Sequence, residues 1–120
     1  MAEMQTHTGG CHCGKVAFEV DAALDTVVSC NCSICAKRGS LLLGVGADVF
    51  RLKQGDAALT EYRFNKHAIA HMFCATCGIL PFARGKSPKS GADMVAVNVR
   101  CLDGVDLDAL TIIPFDGASL

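Results

Sequence analysis

Tryptophan is missing from these 120 residues, and six Phe and one Tyr are the only rings of that kind. That argues against an aromatic platform for stacking nucleic-acid bases. Surplus positive charge is missing as well. Eleven Lys and Arg face twelve Asp and Glu, for a formal net charge of −1 and a pI near 6.4. A protein that grips a phosphate backbone is usually clearly basic, so no nucleic-acid partner is expected. No stretch approaches the roughly 18 uninterrupted apolar residues of a membrane span, so no membrane partner is expected either. The opening Met1 to Gly10 has neither a basic region nor an apolar core, and is not read as a secretory signal. Internal repeats and low-complexity tracts are absent too. With 51% hydrophobic and 19% charged residues, the chain has the material for a packed core. A single domain over 1–120 is expected.

Cysteine is what the chain has in quantity. Of eight, seven fall in three clusters: Cys11 and Cys13, then Cys30, Cys32 and Cys35, then Cys74 and Cys77. Without an export signal the expected compartment is the reducing cytoplasm, where clustered thiols bind metal more often than they form disulfides.

Between the clusters the chain reads as short strands punctuated by glycine. Lys15 to Val20 alternates, with Val16, Phe18 and Val20 on one face. Thr26–Cys30, Leu41–Val45, Val49–Leu52, Leu59–Phe64, Ile69–Phe73 and Ile79–Ala83 are further strand candidates. Arg84 to Asp93 reads as a loop. Met94 to Cys101 reads as a strand with Val95, Val97, Val99 and Cys101 on one side. A helix is expected only in a short piece, Ser33 to Arg38. The class is therefore mainly β.

Side chains two apart on a strand share a face, so Cys11 and Cys13 can grip one ion while His12 points away. Cys74 and Cys77 have zinc-knuckle spacing. Gly14 and Gly78 suit the positions after such turns, where positive φ leaves N–H groups to bond the sulfurs. Spacing alone permits any two clusters to pair. Two observations favour the first with the third: each offers two sulfurs followed by glycine, and the middle cluster already holds three. Four cysteines close a tetrahedral zinc site. Three leave a position open, which is the difference between a structural and a catalytic zinc. The competing reading is a second closed site, completed by Cys101 or a histidine.

Lys37 and Arg38 follow the middle cluster and are candidates to meet substrate carboxylates, set against a plain solvated basic pair. His67 and His71 are candidate acid–base groups or a fourth ligand, set against ordinary satisfied or exposed histidines. Cys101 reads as a buried thiol among valines. Asn98 and Arg100 either line a pocket or belong to an exposed polar face.

Gly10-Cys11-His12-Cys13-Gly14-x-Val16-x-Phe18, Cys30-x-Cys32-Ser33-x-Cys35 and Phe73-Cys74-x-x-Cys77-Gly78 together resemble the glutathione-dependent formaldehyde-activating enzyme family. That family also includes centromere protein V relatives. The trailing Val97-Asn98-Val99-Arg100-Cys101-Leu102-Asp103-Gly104 is similar too. The resemblance implies a β-tent fold of stacked antiparallel sheets organised around two zinc ions. Cys11, Cys13, Cys74 and Cys77 would hold a structural zinc, and Cys30, Cys32 and Cys35 a catalytic one. It further implies a carbon–sulfur lyase-like enzyme acting on adducts of a small-molecule thiol and an aldehyde, as in S-hydroxymethylglutathione formation. The alternative is a non-catalytic zinc-bound β-tent scaffold, or a thiol carrier, that binds a protein partner.

Overall fold

The computed structural model describes residues 3–64, 68–87 and 89–119. Among them are ten strands and one short helix. The strands are β1 (Gln5–Gly10), β2 (Ala17–Ala22), β3 (Thr26–Cys30), β4 (Leu42–Gly46), β5 (Phe50–Gln54), β6 (Leu59–Tyr62), β7 (Ala70–Cys74), β8 (Phe82–Lys86), β9 (Asp93–Asn98) and β10 (Thr111–Phe115). The helix, α1, spans Ser33–Arg38. It stops at Gly39, which adopts φ 72° and returns its N–H to the Cys35 carbonyl at 2.9 Å. No helix is long and apolar enough to cross a membrane among the described residues.

The strands form two stacked sheets in a β-tent. One has the order β1-β2-β5 and the other β10-β3-β4-β9-β8-β7-β6. Alternation decides what lies between them. Val16, Phe18 and Val20 turn inward, as their spacing predicts, and Phe18 and Val20 join Phe50 of β5 in the core. From the larger sheet come Phe82, Val95 and Val97, all but fully buried. The rings of Phe18 and Phe50 stack at 5.2 Å, and Phe82 lies 4.6 Å from Phe50. The opposite face of the larger sheet carries Ala83, Ala96, Asn98 and His71, and two cavities lie there.

Several expectations are corrected. Every pairing in the smaller sheet is antiparallel, but β10 runs parallel to β3. β10 sits at an edge and contains Pro114. Thr111 N–H donates to the Asp25 carbonyl and the Phe115 carbonyl accepts from Asn31 N–H, just before and just after β3, and alternation along the strand turns the proline's donor-less nitrogen outward. Cys11 and Cys13 lie in a bend after β1, not on a strand. The strand expected over Ile79–Ala83 begins at Phe82, because Ile79 closes the turn by accepting from the Cys74 amide at 2.9 Å. It then runs through Arg84–Lys86, which had read as loop. Arg84 lies over the rings of Phe82 and Phe50, and Lys86 pairs with Asp93 across β8 and β9. β9 ends at Asn98, whose carbonyl Oδ1 accepts from the Arg100 amide at 3.2 Å and starts a 3₁₀ turn over Val99–Cys101. Cys101 thus leaves the valine face and is only partly buried.

Candidate metal centres and their cavities

The first and third clusters meet. Cys13 Sγ lies 3.6 Å from Cys11 Sγ and 3.6 Å from Cys74 Sγ, and all four sulfurs of Cys11, Cys13, Cys74 and Cys77 lie within 4.8 Å of one another. All eight cysteines are unbridged. A tetrahedral ion with sulfurs at about 2.3 Å would space them about 3.8 Å apart, so this donor set fits zinc. Backbone donors support thiolates. Val16 N–H points to Cys11 Sγ at 3.3 Å. Amides of Ile79, Cys13 and His12, with the Cys74 thiol, bring the Cys77 thiol down to about 6 against the cost of burial. Gly14 and Gly78 have φ of 85° and 80°. His12 is exposed and outside the sulfur group. The group joins the bend between β1 and β2 to the turn after β7, so it bridges the two sheets.

The middle cluster makes a second group. Cys30 ends β3, Cys32 caps α1 and Cys35 sits inside it, and their sulfurs lie within 4.8 Å of one another. Among the described residues no fourth His, Cys, Asp or Glu joins this group. Cys101 does not complete it. That thiol is pushed up to about 11, first by burial and then by Cys11 and Cys77, which places it beside the other group. Burial pushes the Cys35 thiol up to about 12, with Cys32 and Cys30 adding to it. Cys32 moves the other way: burial opposes its ionisation, but hydrogen bonds from the Cys35 backbone and the neighbouring thiols bring it below its ordinary value. Three sulfurs this close together, one of them easier to ionise than an ordinary thiol, suit a divalent soft-to-borderline metal such as zinc.

Two cavities adjoin this triad and share Ile34, Arg38 and His71 as their common wall. One, of about 370 Å³, is lined by the three cysteines and mostly apolar side chains. The other, of about 500 Å³, holds Arg38, Arg100, Asn98 and Cys101 among its lining. Arg38 is half-buried, and its Nη2 lies 3.2 Å from His71 Nδ1. A guanidinium only donates, so Nδ1 accepts and the ring proton belongs on Nε2. Burial, and then the charge of Arg38, hold His71 below its ordinary pKa, so it is neutral near pH 7. Arg100 Nε donates to the Gly39 carbonyl at 3.0 Å. Asn98 is buried rather than on an exposed face; its Nδ2 donates to Leu80 O at 3.0 Å. Lys37 is exposed and lines a separate hollow with Tyr62 and Phe64. His67 lies outside the described residues.

Sequence reasoning missed Gly117 and Asn31. The tail after β10 returns over the triad and is tied to Asn31. That side chain donates to Asp116 Oδ1 at 3.0 Å and accepts from the Ala118 amide at 2.9 Å. Asn31 lies between Cys30 and Cys32, a position that could have drawn attention to it.

Fold and site together define a class: β-tent proteins with two separate cysteine groups, one of four sulfurs between the sheets and one of three beside a cavity. A family model described as glutathione-dependent formaldehyde-activating enzyme matches residues 6–111. The chain belongs to that family. A crystal structure of a Rhodobacter sphaeroides protein is similar at 30% identity. It covers 88% of this chain and 99% of its own, with a TM-score of 0.74.

Proposed function

We propose that this chain is a zinc-dependent carbon–sulfur lyase-like enzyme, joining a glutathione-type thiol to an aldehyde and splitting the adduct in reverse. In the forward direction the sulfur forms a bond to the carbonyl carbon, the C=O π bond breaks, and the thiol proton passes to the oxygen. Cys30, Cys32 and Cys35 would hold the catalytic zinc, and Cys11, Cys13, Cys74 and Cys77 the structural one. Bound at the three cysteines, zinc supplies a Lewis acid and a template for thiolate and carbonyl oxygen. The observation that carries the reading is the three-sulfur group with no fourth ligand among the described residues, opening on a cavity walled by Arg38 and His71.

The remaining roles belong to the chain. Arg38 stands close enough to Cys35 and Cys32 to feel their charge, and it balances the thiolates. Its guanidinium and that of Arg100 face the larger cavity, where they suit the carboxylates of the thiol substrate. Neutral His71 leaves Nε2–H as the donor for the adduct oxygen. Holding two reactants together is the main need, since orientation alone can supply several kcal/mol. A pure scaffold would leave both arginine-lined and thiol-lined cavities without a task.

Zinc content and turnover test this together. Wild type is expected to carry two zinc ions per chain, and Cys32→Ala one in a protein that still folds. Glutathione and formaldehyde should combine faster in the presence of wild type, with at least a tenfold loss in Cys32→Ala, the equivalent of about 1.4 kcal/mol. Unchanged acceleration in the variant would remove the triad from the chemistry.

A further inference from the structure

The cavity at the triad is larger and more apolar than a one-carbon aldehyde requires. A hydroxymethyl group is comparable to a single water, whose share of liquid volume is about 30 Å³. The cavity measures about 370 Å³. Its polar lining beyond the three cysteines is Arg38 and His71, and both lie on the wall shared with the arginine cavity. Val28, Leu42, Ile34 and Phe115 supply much of the rest.

The hollow follows from strand register. Ala83 pairs with Ala96 across β8 and β9, and Ala96 with Gly44 across β9 and β4. Three of the smallest residues therefore lie side by side in the middle of the large sheet, on the face away from the core. Larger groups surround them: Leu42 pairs with Val28 on one side, and α1 stands over the space through Ile34 and Cys35. A smaller hollow of about 200 Å³ shares Ala83, Ala96 and Ile69 with it and extends the apolar floor past Gly44.

The remaining wall is built by the tail. Phe115 and Gly117 lie beyond residue 111, where the family match ends. Asn31 fixes them in place, its backbone amide donating to the Phe115 carbonyl at 3.1 Å and its side chain bonding Asp116 and Ala118. A pocket lined by apolar side chains on several elements beside the three metal-holding sulfurs binds apolar substituents, because each buried methylene adds favourable transfer free energy.

We propose that the carbonyl-derived half of the substrate carries an apolar group of about four carbons or more, seated on Ala83 and Ala96 against Phe115 and Leu42. The substrate class is then a thiol adduct of a medium-chain or aryl aldehyde, with the acidic thiol portion in the arginine cavity. This rests on the lyase reading above and adds to it the side of the site that selects the aldehyde.

Calorimetry on the zinc-loaded protein with S-methyl-, S-butyl- and S-hexylglutathione, which do not react, reads the pocket directly. The dissociation constant is expected to fall with each added methylene, by up to the roughly fourfold that full burial of each would give. Ala96→Leu, which fills the floor, should flatten the series. Leu42→Phe narrows the same space from another strand and serves if the first variant does not fold. Equal affinity across the three ligands in wild type would overturn the proposal. Adduct formation with formaldehyde, butanal and hexanal separates it from the reading beneath. Acceleration with formaldehyde alone defeats the apolar pocket and leaves the lyase standing, and acceleration with none defeats both.

Discussion

Gly117 owes its identity to contact rather than to backbone freedom. A Cβ built there would lie 2.6 Å from Cys30 Sγ, closer than real Cβ atoms approach, and a tight 3.2 Å from Cys32 Cβ. Gly117→Ala must therefore push the tail or the Cys30 sulfur aside. The expected outcome is at least a tenfold loss of zinc affinity at the triad, measured by competition with a chromophoric chelator, with the four-cysteine group unaffected. Equal affinities would show that the tail rides freely over the sulfurs. Nothing near Gly117 in the chain points to this. Cysteines 11, 13, 30, 32, 35, 74 and 77 were legible because two or three donors within a few residues are a local feature of the chain. The contact of Gly117 with Cys30 spans 87 positions and depends on β10 docking beside β3. Arg38 shows both sides: its nearness to the cysteines was legible, and its bond to His71, 33 residues away, was not.

Among the elements, strands with one buried face were read well. Thr26–Cys30 and the helix Ser33–Arg38 fall where the pattern put them. β1 was missed because Gln-Thr-His-Thr-Gly-Gly carries no apolar alternation; it is a strand because β2 supplies its partner over six residue pairs. β10 was missed because its side chains are exposed, including Ile112, Ile113 and Phe115, and because it holds a proline. The small sheet is laced on its outer side by Arg51 of β5, which donates to both oxygens of Asp21 at 3.0 and 2.9 Å and to Glu19 at 3.2 Å. Bonds from Arg51, then from Thr6 on β1, lower Asp21 from 3.8 to about 2. The folded state therefore holds the proton more weakly than the unfolded chain. The stabilisation is complete above pH about 4 and disappears as pH falls toward 2. Asp21→Asn should melt below wild type at pH 6, with the gap narrowing once the pH passes below 4. A gap independent of pH would mean that the pair contributes through packing alone.

For the molecule as a whole, the four-cysteine group matters because of where it lies. It ties the connection between β1 and β2 to the turn after β7, residues 61 apart, and so joins the two sheets at one end of their shared core. Metal binding at such a crossing is folding free energy. Cys77→Ala is expected to unfold the domain or lower its melting temperature far more than Cys32→Ala does, as followed by circular dichroism. Comparable melting of the two variants would deny the four-cysteine group its structural role. The sequence by itself determined the donor chemistry, the number of sulfurs in each cluster, the mainly β class and the inward face of the central strands. These depend on neighbours within a few residues and on a period of two. Only the tertiary structure decided which sulfurs meet, which arginine faces the triad, and how wide and apolar the space beside it is. Those properties come from register between strands distant in the chain, where Gly44, Ala83 and Ala96 line up and Phe115 closes the side.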